Sequence, residues 1–299
     1  MSVRNRSLPN NATTMIGIYE PLYARGQKLT ESSFLPLEID NGARSQWREF
    51  KIYVDMYRAG IHRRHGYTGL FSPKFHLKTG IRGEEFVEFV ESNSQAQVCF
   101  VNAFPQLPYF SYNVWMEAEC AHPGIGKRAQ ALIAKAGINW TLTNVPRHGP
   151  DVLCYCNFWV GDESFWERYV GGVLVPIAEF LELNPTCDVA KSVLDDTQHS
   201  EPTAFLPFIV ERLFSTYLSL QENLVVARFK TDPFQGCLNE FESTLLEYIK
   251  VDVDREDERN SISDEMKDKM RLFSKLRLLY ILSYYAHNPH PHVGTTIKA

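Results

Sequence analysis

The sequence predicts an α/β fold, a sheet flanked by helices with a helical extension toward the C-terminus. Three observations carry this. Short β-prone runs alternate with segments whose apolar residues recur every three or four positions. The connections between them are short enough to require crossover helices lying on the sheet, which argues for parallel pairing. The run Val152 to Val160 (VLCYCNFWV) is apolar almost without a break, as a strand covered on both faces should be.

Thr13 to Tyr19 is the first predicted strand, ended by Glu20-Pro21 because proline cannot donate to a ladder. Trp47, Phe50, Val54 and Tyr57 mark one face of a helix that Gly60 stops. Gly66 to Ser72 is a second strand, and Gly83 precedes a helix with Phe86, Val87, Phe89 and Val90 inside. Gln97 to Ala103 is a third strand, closed by Phe104-Pro105. Gly126 to Ala136 reads as a helix on Ala129, Leu132, Ile133 and Ala136, and Asp162 caps a helix carrying Phe165, Trp166 and Tyr169. Pro207 suits the first turn of a helix whose Phe208, Ile209, Leu213, Phe214, Tyr217 and Leu220 leave little polar face, so that helix is expected to be buried. Asp252 to Asp264 reads as a charged linker, followed by an amphipathic helix from Met266 to Tyr285 and a polar tail after His287. With no internal repeat, residues 1–250 form one α/β domain, and residues 251–299 the linker, helix and tail.

Among the 299 residues, 31 Lys and Arg stand against 36 Asp and Glu, a formal net charge of −5 that gives no global reason to expect nucleic-acid binding. No apolar run reaches the length of a membrane span and Met1 to Thr14 has no signal-peptide core, so a cytoplasmic protein is expected. None of the six cysteines has zinc-knuckle spacing; Cys154 and Cys156 should point to one face of their strand and pack. His287, His290 and His292 are spaced like metal ligands, but prolines separate them in a polar tail expected to be disordered. Dinucleotide-binding, P-loop, nucleophile-elbow and His-Glu-x-x-His motifs are absent.

Four local phrases remain: GYTGLFSPKF (66–75) running into HLKTG (76–80), NVWMEAECAHPG (113–124), CNFWVGDESFWERY (156–169) and PFIVERLFSTYL (207–218). Together, over roughly residues 15 to 220, they resemble bacterial polysaccharide-biosynthesis glycosyltransferases with a GT-A-like fold. Asn157, Val160, Phe165 and Trp166 match a strand-to-helix phrase of that group, and Glu211-Arg212 a later helix. The resemblance implies a GT-A-like nucleotide-sugar-binding mixed sheet flanked by helices. It further implies transfer from a nucleoside-diphosphate-sugar donor to a glycan or lipid-linked acceptor in making surface polysaccharide such as capsule or O-antigen. The chain departs from it where metal-dependent members carry Asp-x-Asp: here Val101-Asn102-Ala103-Phe104-Pro105 follows the strand, and Asp252-Val253-Asp254 lies in the charged stretch, so a divalent metal is not assigned.

On this basis the donor side is expected to use Tyr19, Lys74, Lys78, Asn102 and Arg212, over the carboxyl ends of the strands ending near Tyr19, Leu70 and Ala103. Lys74, Lys78, Arg82, Lys127 or Arg128 would supply fixed charge to the diphosphate, and Arg212 offers charge to phosphate as well. Tyr19 either stacks on a base or belongs to the core. The acceptor side is expected at Asn113, Trp115, Glu117, His122, Asn157 and Trp159, where polar groups stand beside aromatic faces that suit sugars. Asp162, Glu163 and Glu211 are the candidate carboxylates for taking the proton from the attacking hydroxyl; Asp162 is equally explained as a helix cap, and Glu211 with Arg212 as a buried ion pair. The basic residues of the helix from Met266 to Tyr285 suggest peripheral contact with the inner membrane. Two other functions fit the same features: an inactive nucleotide- or glycan-binding protein of this fold, and an assembly protein that uses the C-terminal helix.

Overall fold

A computed structural model describes residues 15–39, 45–197, 203–235, 238–291 and 294–296. Its elements are β1 (Ile16–Leu22), β2 (Leu35–Glu38), α1 (Glu49–Arg58), β3 (Tyr67–Leu70), α2 (Phe75–Thr79), α3 (Gly83–Ser92), β4 (Val98–Phe100), α4 (Leu107–Phe110), α5 (Val114–Ala121) and α6 (Ile125–Lys135). After β5 (Trp159–Gly161), α7 (Glu163–Trp166) runs through a π-helical stretch (Glu167–Leu174) into α8 (Val175–Leu183). There follow α9 (Asp188–Leu194), the short pair β6 (Asp196–Thr197) and β7 (Thr203–Ala204), α10 (Phe205–Ser219), β8 (Val226–Arg228), α11 (Glu240–Glu258) and α12 (Asp264–Tyr285).

The fold is mixed α/β, built on a six-stranded sheet of order β2-β1-β3-β5-β4-β8. β2, β1 and β3 pair in parallel, as do β4 and β8, while β5 lies between β3 and β4 antiparallel to both. The strands expected to pair in parallel therefore do so only in part, because β5 is wedged between β3 and β4. The wedge needs a glycine: a Cβ on Gly69 of β3 would lie 2.6 Å from Val160 Cγ1 and 2.7 Å from the Trp159 carbonyl.

Alternation along the strands sorts the core onto two faces. Val98, Phe100 and Trp159 join the larger cluster under α1, α5, α6, α8 and α10, while Cys99, Val101, Phe158 and Val160 join Phe71, Phe75 and Phe86 under α2 and α3. Trp159 is fully buried, stacked between Tyr53 and Phe214.

Three expected boundaries move, each for a physical reason. β1 continues through Pro21 because that residue shares an edge with Tyr19, whose carbonyl accepts from Phe71 on the β3 side; by Pro21 β3 has ended, so no ladder needs the missing N–H. The apolar run 152–160 is a strand only from Trp159. Before it, side chains serve the backbone N–H groups: Ser215 Oγ takes that of Cys154, Asn102 Oδ1 that of Tyr155 and Glu211 Oε1 that of Cys156. Cys154 and Cys156 are consequently not on one strand face; Cys154 is in the core and Cys156 borders the smaller of the two cavities described below. The stretch from Asp252 onward is not a linker but the second half of α11, so the expected boundary at residue 250 falls inside a helix. There Asp254 pairs with Lys250, Asp252 with Arg255 and Lys269, and Asp257 with Arg147. The helix of Phe205–Ser219 is buried as expected, with Pro207 in its first turn.

His148 sits beneath α5, fully buried. Its Nδ1 accepts from the Val114 N–H at 3.4 Å while Nε2 has no partner. Burial, with Arg147 beside it, pushes its pKa from 6.5 down to about 3. The unfolded chain therefore takes up a proton below 6.5 that the folded chain refuses until about 3, and stability must rise with pH across that window, by up to about 1.4 kcal/mol per unit. His148→Asn retains an acceptor for Val114 but cannot titrate; urea unfolding as a function of pH should show a flatter acid limb in this variant.

Candidate active site

The carboxyl ends of β3, β4 and β8 and the amino end of the antiparallel β5 share one edge of the sheet, and there a cavity of about 590 Å³ opens. Its floor is the segment after β4. Asn102 folds over its own backbone there, Oδ1 accepting from the N–H groups of Phe104 (3.1 Å) and Tyr155 (3.2 Å) and Nδ2 donating to the Phe104 carbonyl. One wall is α2 with Lys78, turned by Gly80 in the left-handed region, where a side chain would be strained. Opposite stand Phe208, Glu211 and Arg212 of α10, then Arg277 and Tyr285 of α12 with His290 just beyond, and Lys230 after β8.

Arg212 is the hub. It is buried, donating to Glu117 Oε2 at 2.6 Å and to the carbonyls of Phe208 and Val114, with Glu211 Oε2 3.5 Å away. Burial acts to lower its pKa, but Glu117, Tyr155 and Glu211 outweigh that and hold it charged. Burial likewise acts to raise Glu117, yet Arg212 and the Tyr155 hydroxyl (3.0 Å) keep its carboxyl below the usual range. A second pair, Arg277 Nε to Glu242 Oε1 at 2.7 Å, closes the far wall with Glu242 itself buried. Lys78 Nζ donates to Cys156 Sγ at 3.1 Å. Burial pushes the Cys156 thiol up to about 11 against the pull of Lys78. For Lys78, burial is outweighed by Cys156, Glu211 and Glu49, so the ammonium is retained.

Of the residues expected at the site, Lys78, Asn102, Glu117, His122, Glu211 and Arg212 line this cavity, and Asn157 lines a smaller one adjoining it. Asn102 meets the cavity with its oxygen already engaged twice, which makes it a clasp for the floor. The others lie elsewhere. Tyr19 is in the core, its hydroxyl 3.1 Å from His65 Nε2. Lys74 is exposed at the turn before α2, off the cavity wall. Asn113 caps α5 by accepting from Trp115 and Met116, and the Trp115 indole N–H is committed to Thr216 Oγ1. Trp159 is core. Asp162 caps α7 at the opposite edge of the sheet, its N–H on the Gln97 carbonyl and its carboxylate on the Phe165 N–H, and Glu163 pairs there with Arg63. Both are a sheet's width from the cavity, so neither takes a proton from a hydroxyl bound in it.

The sequence missed Tyr155, Cys156, the Glu242–Arg277 pair, Lys230 and His290 as members of the site. Glu242 carries a local signal, a capping box with Asn239, but that marks a helix start and says nothing of a cavity. His290 packs on the Tyr285 ring at 4.7 Å rather than lying in a disordered tail; His292 is outside the described residues. Among the described residues no three His, Cys, Asp or Glu side chains come together as metal ligands, and no helix is long and apolar enough to cross a membrane. No protein-family model, curated protein or solved structure matches the chain.

Proposed function

We propose that the chain is a GT-A-like glycosyltransferase that binds a nucleoside-diphosphate sugar in the 590 Å³ cavity and transfers the sugar to a hydroxyl of a glycan or lipid-linked acceptor. The observation that carries this reading is the cavity's composition. At the ligand-binding edge of an open α/β sheet, fixed cations (Lys78, Lys230, Arg212, Arg277) and a carboxylate (Glu211) face one space walled by Tyr155, Phe208 and Phe229. Diphosphate needs such cations as it leaves, and an attacking hydroxyl needs such a carboxylate. In the transfer the acceptor O–H bond breaks as its oxygen bonds to the anomeric carbon. The carbon–phosphate oxygen bond breaks with its electron pair going to the diphosphate, and the proton goes to Glu211.

A divalent metal does not fit this donor set. The segment after β4 offers only the neutral amide oxygens of Asn102, already accepting two N–H groups, and Gln106, and the cavity's carboxylates are held by Arg212, Arg277 and the Cys156 N–H. The step is therefore assigned to protein cations alone.

Release of free nucleoside diphosphate from a panel of UDP-, GDP-, CDP- and dTDP-sugars tests the reading, with a thermal shift for each. Release with at least one donor is expected. A thermal shift without release under any acceptor favours the binding protein instead, and no response to any nucleotide overturns both.

The peripheral membrane role proposed for α12 rests on its exposed Leu272, Leu276 and Leu279. Charge contributes less, since Lys267, Lys269, Arg271 and Arg277 are each paired with an acid. Co-sedimentation with anionic vesicles should fall in Leu276→Ser/Leu279→Ser and depend only weakly on salt; unchanged binding in that variant ends the idea.

A further inference from the structure

A second cavity, of about 220 Å³, adjoins the first and shares Lys78, Phe208 and Glu211 with it. It lies below the roughly 300–1,000 Å³ of pockets for drug-sized ligands, so it suits a single ring rather than a nucleotide. Its other walls are the start of α1, the turn after β3, and Cys156 with Asn157.

Backbone strain concentrates here. Among the described residues, four other than glycine have positive φ: Arg48 (48°), Cys156 (66°), Asn157 (52°) and Asn260 (50°). The first three line this cavity. Such conformations are strained and persist where the surroundings over-determine them, commonly at ligand sites. The surroundings do so: Glu211 Oε1 holds the Cys156 N–H, the Tyr53 hydroxyl donates to the Asn157 carbonyl at 3.1 Å, and the Arg48 guanidinium donates to Thr203 Oγ1. The strain presents an amide that is not satisfied, since Asn157 Oδ1 is buried without a hydrogen-bond partner. Asn157 lines the cavity, where a bound ligand can supply the missing partner.

Asn157 Oδ1 lacks a partner, the carboxylates of Glu49 and Glu211 and the cations of Arg48 and Lys78 line the same space, and Trp47, Phe50 and Tyr53 stand beside them. With two cations facing two carboxylates, a matching ligand is uncharged, offers several groups that both donate and accept, and has an apolar face, as a sugar ring does. We infer that the second cavity binds one sugar ring, its hydroxyls donating to Asn157, Glu49 and Glu211. That it is the acceptor's ring rests on the transferase reading, because Glu211 faces both cavities; that it binds a sugar does not.

The test is saturation-transfer NMR on the full chain with methyl α-glucoside, methyl β-galactoside and methyl N-acetyl-β-glucosaminide, alone and with UDP, GDP, CDP or dTDP. At least one glycoside should receive saturation from the wild type. Asn157→Gly removes the amide and fits φ of 52°, so it should melt no lower than the wild type while weakening that glycoside about tenfold. Glu49→Gln provides a second, independent loss. No saturation of any glycoside, or undiminished saturation in both variants, overturns the inference. Glycoside binding that depends on Asn157 without response to any nucleotide keeps this site and removes the nucleotide-sugar reading; nucleotide binding without glycoside binding does the reverse.

Discussion

Glu211→Gln is expected to lower donor turnover by about 10²- to 10⁴-fold, the range over which a positioned general base contributes, while leaving the fold intact. Glutamine keeps the acceptor that holds the Cys156 N–H at 2.9 Å, so the loop before β5 stays in place. It cannot take a proton. The side chain is about a quarter exposed and its contact with Arg212 is long, at 3.5 Å, so stability should change by less than about 1 kcal/mol. Donor hydrolysis and transfer would be measured beside a urea melt. Wild-type turnover in the variant removes Glu211 from the chemistry, and because Asp162 and Glu163 lie across the sheet, no other carboxylate of the sequence-based set except Glu117 would remain.

Arg212→Met is expected to cost about 3–5 kcal/mol of stability, since it strands the carboxylate of Glu117 in a site only 15% exposed with the Tyr155 hydroxyl as its remaining side-chain partner. The pH dependence identifies the cause. In the wild type Glu117 titrates below its ordinary 4.5, so its contribution is present above that value and is lost as pH falls through the lower folded value. Without Arg212, burial is opposed only by the more distant Arg277 and the Tyr155 hydroxyl, and the carboxyl rises. The folded chain then holds the proton more tightly than the unfolded one, and acidification should partly restore stability. Urea unfolding between neutral and mildly acid pH separates these opposite slopes. The double variant Glu117→Gln/Arg212→Met should recover most of the loss, because no buried charge is left alone.

The layered α/β pattern was legible in the sequence because periodicity records which side of an element is buried, and β4 and α10 are found where that period placed them. The run at 152–160 misled for the same reason. Leu153, Cys154, Tyr155 and Phe158 are as buried as strand residues, but side chains of Asn102, Ser215 and Glu211 take the backbone hydrogen bonds, and no local pattern announces a partner 53 to 61 residues away. The site divides along that line. Glu211 and Arg212 stood out as charges on an otherwise apolar helix, an anomaly readable in one dimension. Asn113 and Asp162 stood out as polar residues at the starts of helices, and capping absorbs both. Tyr155 and the Glu242–Arg277 pair depend on which helices pack together, which spacing alone does not encode.

The wall formed by α12 ties occupancy of the cavity to the opening of one segment. Arg277 reaches Glu242 across a turn between helices, and Tyr285 and His290 close the rim, so any excursion that lifts α12 dismantles the cavity while leaving the central sheet paired. Such partial openings lie well below global unfolding in free energy. A ligand that requires the closed wall adds RT ln(1 + [L]/Kd) to that opening, about 2.7 kcal/mol at a hundredfold excess over Kd. Amides of α12 should therefore slow in hydrogen exchange by about that amount when the cavity fills, amides in the sheet that exchange through global unfolding by the same increment, and amides whose openings leave the cavity intact not at all, so the set that slows together outlines the cooperative unit enclosing the ligand.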